Sequence, residues 1–137
     1  MEFALEHYYG LFQTNGILFK VGLSMVIVGQ IVRVLAIITA GKSFSHEIAT
    51  DKSTEQILVT KGIYAIMRHP SYFGFFLWSV GSQIMLCNPV VFAISLVSCY
   101  AFFRDRIEYE ELLLVSFFQQ DYRDYQRNVW SGMPFVK

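Results

Sequence analysis

Charge is scarce in this chain of 137 residues. Asp, Glu, Lys and Arg make up 16% of it, against roughly 25% in soluble domains. Eleven basic residues balance eleven acidic ones, so no electrostatic footprint argues for nucleic acid. There are only two cysteines, Cys87 and Cys99. That number excludes a disulfide framework, their wide separation excludes a metal-ligand pair, and both read as small apolar residues. No three-ligand metal set, glycine-rich phosphate loop or nucleophile beside a base is present, which leaves hydrolysis and phosphoryl transfer without candidates. His7 and His46 stand alone. No internal repeat or low-complexity segment occurs. Residues 1–6 lack the basic start of a cleavable signal peptide and read as the tail of an element rather than its opening.

What the chain has in quantity is apolar surface: 54% hydrophobic and 17% aromatic residues. These are gathered into long runs, which predicts an all-α, multi-pass membrane protein forming one domain over residues 1–137. Residues 17–40 are long enough to cross a bilayer, with Gly22 and Gly29 offering flat surfaces for close helix approach. Arg33 is the costly residue of that helix and must reach an interface or a partner. Residues 41–61 are polar and read as a connecting loop. From Pro70 to Phe103 there is no Asp, Glu, Lys, Arg or His. As one helix this run is too long for a bilayer, and Asn88-Pro89 interrupts it. The expectation is a helical hairpin of about 71–86 and 90–118, with spans at 17–40, 71–86 and 90–107. The hairpin turn carries no Lys or Arg, while the 41–70 loop and the C-terminal segment carry nine of the eleven. Those two regions are therefore expected on the cytosolic side. Residues 121–137 read as a surface tail.

Two polar clusters bracket the uncharged run. Arg68-His69-Pro70 opens it, with Tyr64 and Tyr72 alongside; aromatic rings, a helix start and a histidine can cradle a small polar or cationic ligand. Arg106 and Glu110 follow it, four apart and so on one helix face. Just past a membrane span such a pair has more to do than decorate a surface, and the guanidinium fork of Arg106 suits a carboxylate. Glu108 and Glu111 lie on other faces and read as solvated; Glu55, Asp105 and Asp121 read as surface charges.

With these residues on the page, the chain resembles the protein-S-isoprenylcysteine O-methyltransferases. The resemblance is carried by Leu58-Val59-Thr60-Lys61-Gly62-Ile63-Tyr64 and Arg68-His69-Pro70-Ser71-Tyr72-Phe73-Gly74. Further matches are Leu86-Cys87-Asn88-Pro89, Arg104-Asp105-Arg106 and Gly132-Met133-Pro134-Phe135. It implies an endoplasmic-reticulum enzyme, active site facing the cytosol, that uses S-adenosyl-L-methionine (SAM) to methylate the terminal carboxylate of prenylated cysteine in CaaX-processed proteins. On the family's motif, cofactor contacts fall on Gln56, Ile57, Leu58, Val59, Tyr64, His69, Pro70, Ser71, Tyr72 and Glu110, and Arg106 takes the place of the substrate-binding arginine. No residue is implied as acid or base, and no metal. Ala49 departs from the family, which has a cofactor-contacting glutamine there. The family also carries further membrane helices upstream, so this chain reads as its C-terminal catalytic part. Membrane sterol reductases that use NADPH share the Arg-His-Pro box, and a truncated, non-catalytic membrane subunit is the remaining alternative.

Overall fold

The computed structural model describes residues 16–41, 57–87 and 89–133. Four α-helices follow one another: α1 (Gly16–Ala40), α2 (Pro70–Met85), α3 (Pro89–Phe118) and α4 (Gln120–Asn128). A short 3-10 turn, Gly62–Ala65, precedes α2. Among the described residues there is no strand, only an isolated parallel bridge between Met67 and Trp130. The all-α expectation is met. Gln56, Ala49, His7, His46, Asn88, Pro134 and Phe135 lie outside the described residues.

α1 is apolar all round, and its buried residues are Gly22, Gly29 and Ala36. Their spacing of seven is two helical turns, so they form one narrow seam. That seam meets α2 in antiparallel fashion. A Cβ on Gly22 would stand 2.6 Å from the carbonyl oxygen of Gly81, and one on Gly74 would stand 2.5 Å from that of Gly29. The two backbones touch, as small residues at a membrane-type helix interface allow. The rest of α1 is open: Ile17, Ile27, Ile31 and Ile38 are all exposed.

Among the described residues α1 is the one helix long and apolar enough to cross a membrane. α2 has 16 residues, about 24 Å at the helical rise, and the uncharged part of α3 stops before Arg104. The hairpin itself forms as expected, within a residue at each boundary. Pro70 occupies the first turn of α2, where a missing N–H costs nothing. Cys87 turns the chain with φ 51° before Pro89 opens α3.

The C-terminal segment differs from the expected surface tail. α4 buries Tyr122 and Tyr125 on one face and turns Asp121, Arg123, Asp124 and Arg127 outward. Asp121 in its first turn and Arg127 in its last complement the helix dipole. After α4, residues 129–133 run as a strap beside the Arg-His-Pro segment. The Arg68 N–H donates to the Trp130 carbonyl at 2.8 Å and the His69 N–H to that of Ser131 at 2.9 Å. Gly132 takes a left-handed φ of 100° beside Met67 and His69, a conformation that favours glycine. Met133 is fully buried with Phe103 and Ile107, packed by Tyr72, Phe75 and Phe76. α4 reads as solvated in sequence because Tyr122 and Tyr125 are its buried residues, and Tyr125 finds its partner Tyr64 61 residues away.

Candidate functional site

The start of α2, the second half of α3 and the inner face of α4 line a half-open cavity of about 300 Å³. Every described residue expected at the cofactor site lines it: Ile57, Leu58 and Val59 before the 3-10 turn, Tyr64 within it, and His69, Pro70, Ser71 and Tyr72 at the start of α2. Glu110 and Arg106 complete the wall from α3. Gln56 lies outside the described residues.

Arg106 and Glu110 share a face, as four-residue spacing requires, and Tyr72 joins them. Its hydroxyl donates to Glu110 Oε2 at 2.5 Å and accepts from Arg106 Nε at 3.0 Å. The Arg106 guanidinium also lies over the Tyr72 ring, 5.3 Å from its centroid. Tyr64 donates to the Ala36 carbonyl at 3.2 Å, tying the 3-10 turn to the end of α1. Burial, then the nearby Glu110 charge, pushes the Tyr64 phenol up to about 12, so it is a neutral donor at physiological pH.

Several wall residues were not anticipated. Arg33 lines the cavity with its guanidinium 5.2 Å from the Phe75 centroid, a partner of the kind its position in an apolar helix demands. Tyr122 and Tyr125 reach the cavity from α4. The Tyr125 hydroxyl donates to the Tyr64 carbonyl. Burial pushes the pKa of both phenols up, with the Glu111 charge adding to the effect on Tyr122.

Glu111 is the main correction. Far from being solvated, it is 7% exposed. Its Oε1 accepts from His69 Nε2 at 2.9 Å and from the Tyr122 hydroxyl at 3.2 Å. Arg68 Nη1 stands 2.6 Å from the same oxygen. Oε2 accepts from Gln126 Nε2 at 2.8 Å. Burial opposes the Glu111 charge, but the hydrogen bond and charge of His69 and the charge of Arg68 outweigh it, so the carboxyl titrates below its usual range. The signal available in the sequence was the glutamate pair at 110 and 111: adjacent helix positions face about 100° apart, and the second face is covered only because α4 folds back. Arg68 is buried as well. Its Nε has no hydrogen-bond partner among the described residues. Glu108, Asp105 and Asp121 are exposed as expected, Glu108 pairing with Arg104 at 3.3 Å.

The fold and cavity together define an all-helical protein of membrane type, with a polar and aromatic chamber at one end of a glycine-packed helix pair. The family model described as isoprenylcysteine carboxyl methyltransferase matches residues 21–116. The chain belongs to that family. It is 48% identical over 116 residues to a protein-S-isoprenylcysteine O-methyltransferase of Rattus norvegicus, covering 85% of this chain and 41% of the relative. Protein-S-isoprenylcysteine O-methyltransferase B of Arabidopsis thaliana is 52% identical over 115 residues, covering 84% and 58%. A solved structure of a eukaryotic intramembrane Ras methyltransferase, isoprenylcysteine carboxyl methyltransferase, superposes with a TM-score of 0.92 at 42% identity. That match covers 98% of this chain and 48% of the other. The chain thus spans about half the length of the relatives it matches.

Proposed function

We propose that this chain carries the catalytic part of a membrane enzyme that transfers a methyl group from SAM to the C-terminal carboxylate of a prenylated cysteine. The observation that carries the reading is the convergence of the Tyr64-to-Tyr72 segment with Arg106 and Glu110 on one cavity. The residues present fit SAM. Aromatic faces from Tyr64, Tyr72, Tyr122 and Tyr125 suit a sulfonium and a purine, Glu110 suits an ammonium, and the unpartnered Arg68 Nε is a buried donor awaiting an acceptor.

When bound, SAM supplies an electrophilic methyl group on positively charged sulfur. The chain's own part is placement. A C-terminal carboxylate, with a pKa near 3.5, is already an anion at pH 7 and needs no general base, so His69 and Glu110 on the wall need only bind and orient. Arg106 holds that carboxylate, and the Tyr72 hydroxyl fixes the guanidinium. Catalysis then rests on alignment within a dry, polarised chamber. Phe75, Phe102, Phe103 and Phe118 on the same wall give an apolar surface for a prenyl chain.

The chain forms one membrane domain with α1, α2 and the first half of α3 embedded. Trp78, Val90, Ile94 and Val97 are exposed on the latter two and suit contact with hydrocarbon. The 41–70 region and the C-terminal segment face the cytosol, in the endoplasmic reticulum, where CaaX-processed proteins are the substrates and lipid and soluble cofactor arrive from different phases.

The test uses membranes containing this chain, methyl-labelled SAM and a farnesylcysteine analogue. Base-labile methyl ester should form. Correct insertion without ester supports a non-catalytic subunit instead, and NADPH-dependent sterol reduction without SAM binding supports the reductase reading.

A further inference from the structure

Glu111 touches three residues of the cavity wall, Arg68, His69 and Tyr122, although it does not line the cavity itself. Those residues belong to two segments with no covalent reason to stay in register: the turn before α2 and helix α4. A single buried carboxylate satisfies donors from both. His69, held at Nε2, stacks on Tyr72 with ring centroids 5.6 Å apart and planes 11° from parallel. Tyr72 in turn bridges Arg106 and Glu110. Gln126, also outside the wall, anchors the other Glu111 oxygen. The orientation of the His69 ring, on which Tyr72 stacks, is therefore set from behind, by a charge one residue beyond a cavity-lining glutamate.

We propose that Glu111 is a positioning residue for the cofactor half of the cavity, acting through His69, Arg68 and Tyr122. This rests on the reading that SAM occupies the cavity. Buried networks of this kind lose their geometry when one member is removed. The consequence is selective. The His69 imidazole and the Tyr122 phenol lose their anchor, whereas Tyr72 stays bonded to Arg106 and Glu110, so the Arg106 guanidinium keeps its place on α3.

The experiment compares the whole chain in membranes as wild type, Glu111→Gln, Glu111→Asp and Gln126→Leu. It measures direct binding of labelled SAM, the KM for SAM, the KM for the farnesylcysteine analogue and kcat. Glu111→Gln should raise the dissociation constant and KM for SAM by about tenfold or more and leave the KM for the analogue within about threefold. Gln126 does not line the cavity and its replacement by Leu leaves the Arg68–Glu111 charge pair intact, so Gln126→Leu reports positioning even where a Glu111 variant fails to fold. It should raise the SAM KM about threefold without changing the analogue's. Glu111→Asp, which keeps the charge on a shorter stem, should recover part of the loss. Wild-type SAM affinity in both Glu111→Gln and Gln126→Leu overturns the proposal. So does a parallel rise in both KM values that tracks lost thermal stability. If the wild-type chain binds no SAM, it is the proposed function that fails.

Discussion

The phenol of Tyr72 donates its hydrogen to Glu110 while accepting one from Arg106. A residue from the entrance of the uncharged run thus fixes two residues from its exit. Neither the guanidinium nor the carboxylate can rotate away without breaking a bond to the same oxygen. Tyr72→Phe keeps the ring and its packing on Phe103 but cuts both bonds. Ester formation by that variant should fall about tenfold to a hundredfold, with thermal stability changed little. Unchanged turnover would show that the bridge has no part in alignment.

Arg106→Ala should abolish methylation while leaving SAM binding measurable. Arg106→Lys should recover only a small fraction, since an ammonium lacks the planar fork that grips a carboxylate at two points. The check is labelled ester yield across a titration of the farnesylcysteine analogue. Full activity in the alanine variant removes Arg106 from the site.

The α1–α2 seam has no room for a side chain at Gly22, Gly29, Gly74 or Gly81. Gly29→Ala places a methyl group where the Gly74 carbonyl oxygen is 2.6 Å away, and Gly74→Ala does the same from the other helix. Each should destabilise the pair by about 1–3 kcal/mol. Gly16→Ala, with nothing within 4 Å, is the control. Melting in detergent, followed by intrinsic fluorescence, distinguishes the three variants.

The Glu111 carboxyl has a folded pKa below its usual 4.5. A lowered folded value means its stabilisation is complete above the unfolded pKa and is lost as pH falls through the folded one. Thermal midpoints should hold through neutral pH and drop steeply below about pH 4.5. Glu111→Gln should flatten that acid limb, and a variant with the same steep limb would assign it to other groups. At the alkaline end the sign reverses for Tyr64. Its raised value of about 12 gives stabilisation that is present below the ordinary phenol range and is lost as pH rises through that value. Tyr64→Phe should weaken the alkaline loss, read from the same melts.

Much of the fold was legible because it depends on local chemistry. The lack of charge between Pro70 and Phe103 and the break at Pro89 defined the hairpin to within a residue. The wall residues on the Tyr64-to-Tyr72 segment were visible as a dense polar cluster at a helix start. Arg106 and Glu110 were visible through helical spacing. Glu111 and α4 were not. Nine residues with two tyrosines as their buried face resemble a solvated segment until something covers them.

The sequence alone determined α1, α2 and α3 and their breaks, since apolar periodicity, proline and glycine act within a few residues of themselves. Only the tertiary structure decided which charge is buried. Glu110 and Glu111 are neighbours of identical chemistry. One faces a cavity and the other is enclosed by Arg68, His69, Tyr122 and Gln126. Whether a carboxylate stays in water or pairs in a low-dielectric interior depends on which distant donors the chain brings to it, and here α4 and the strap bring them.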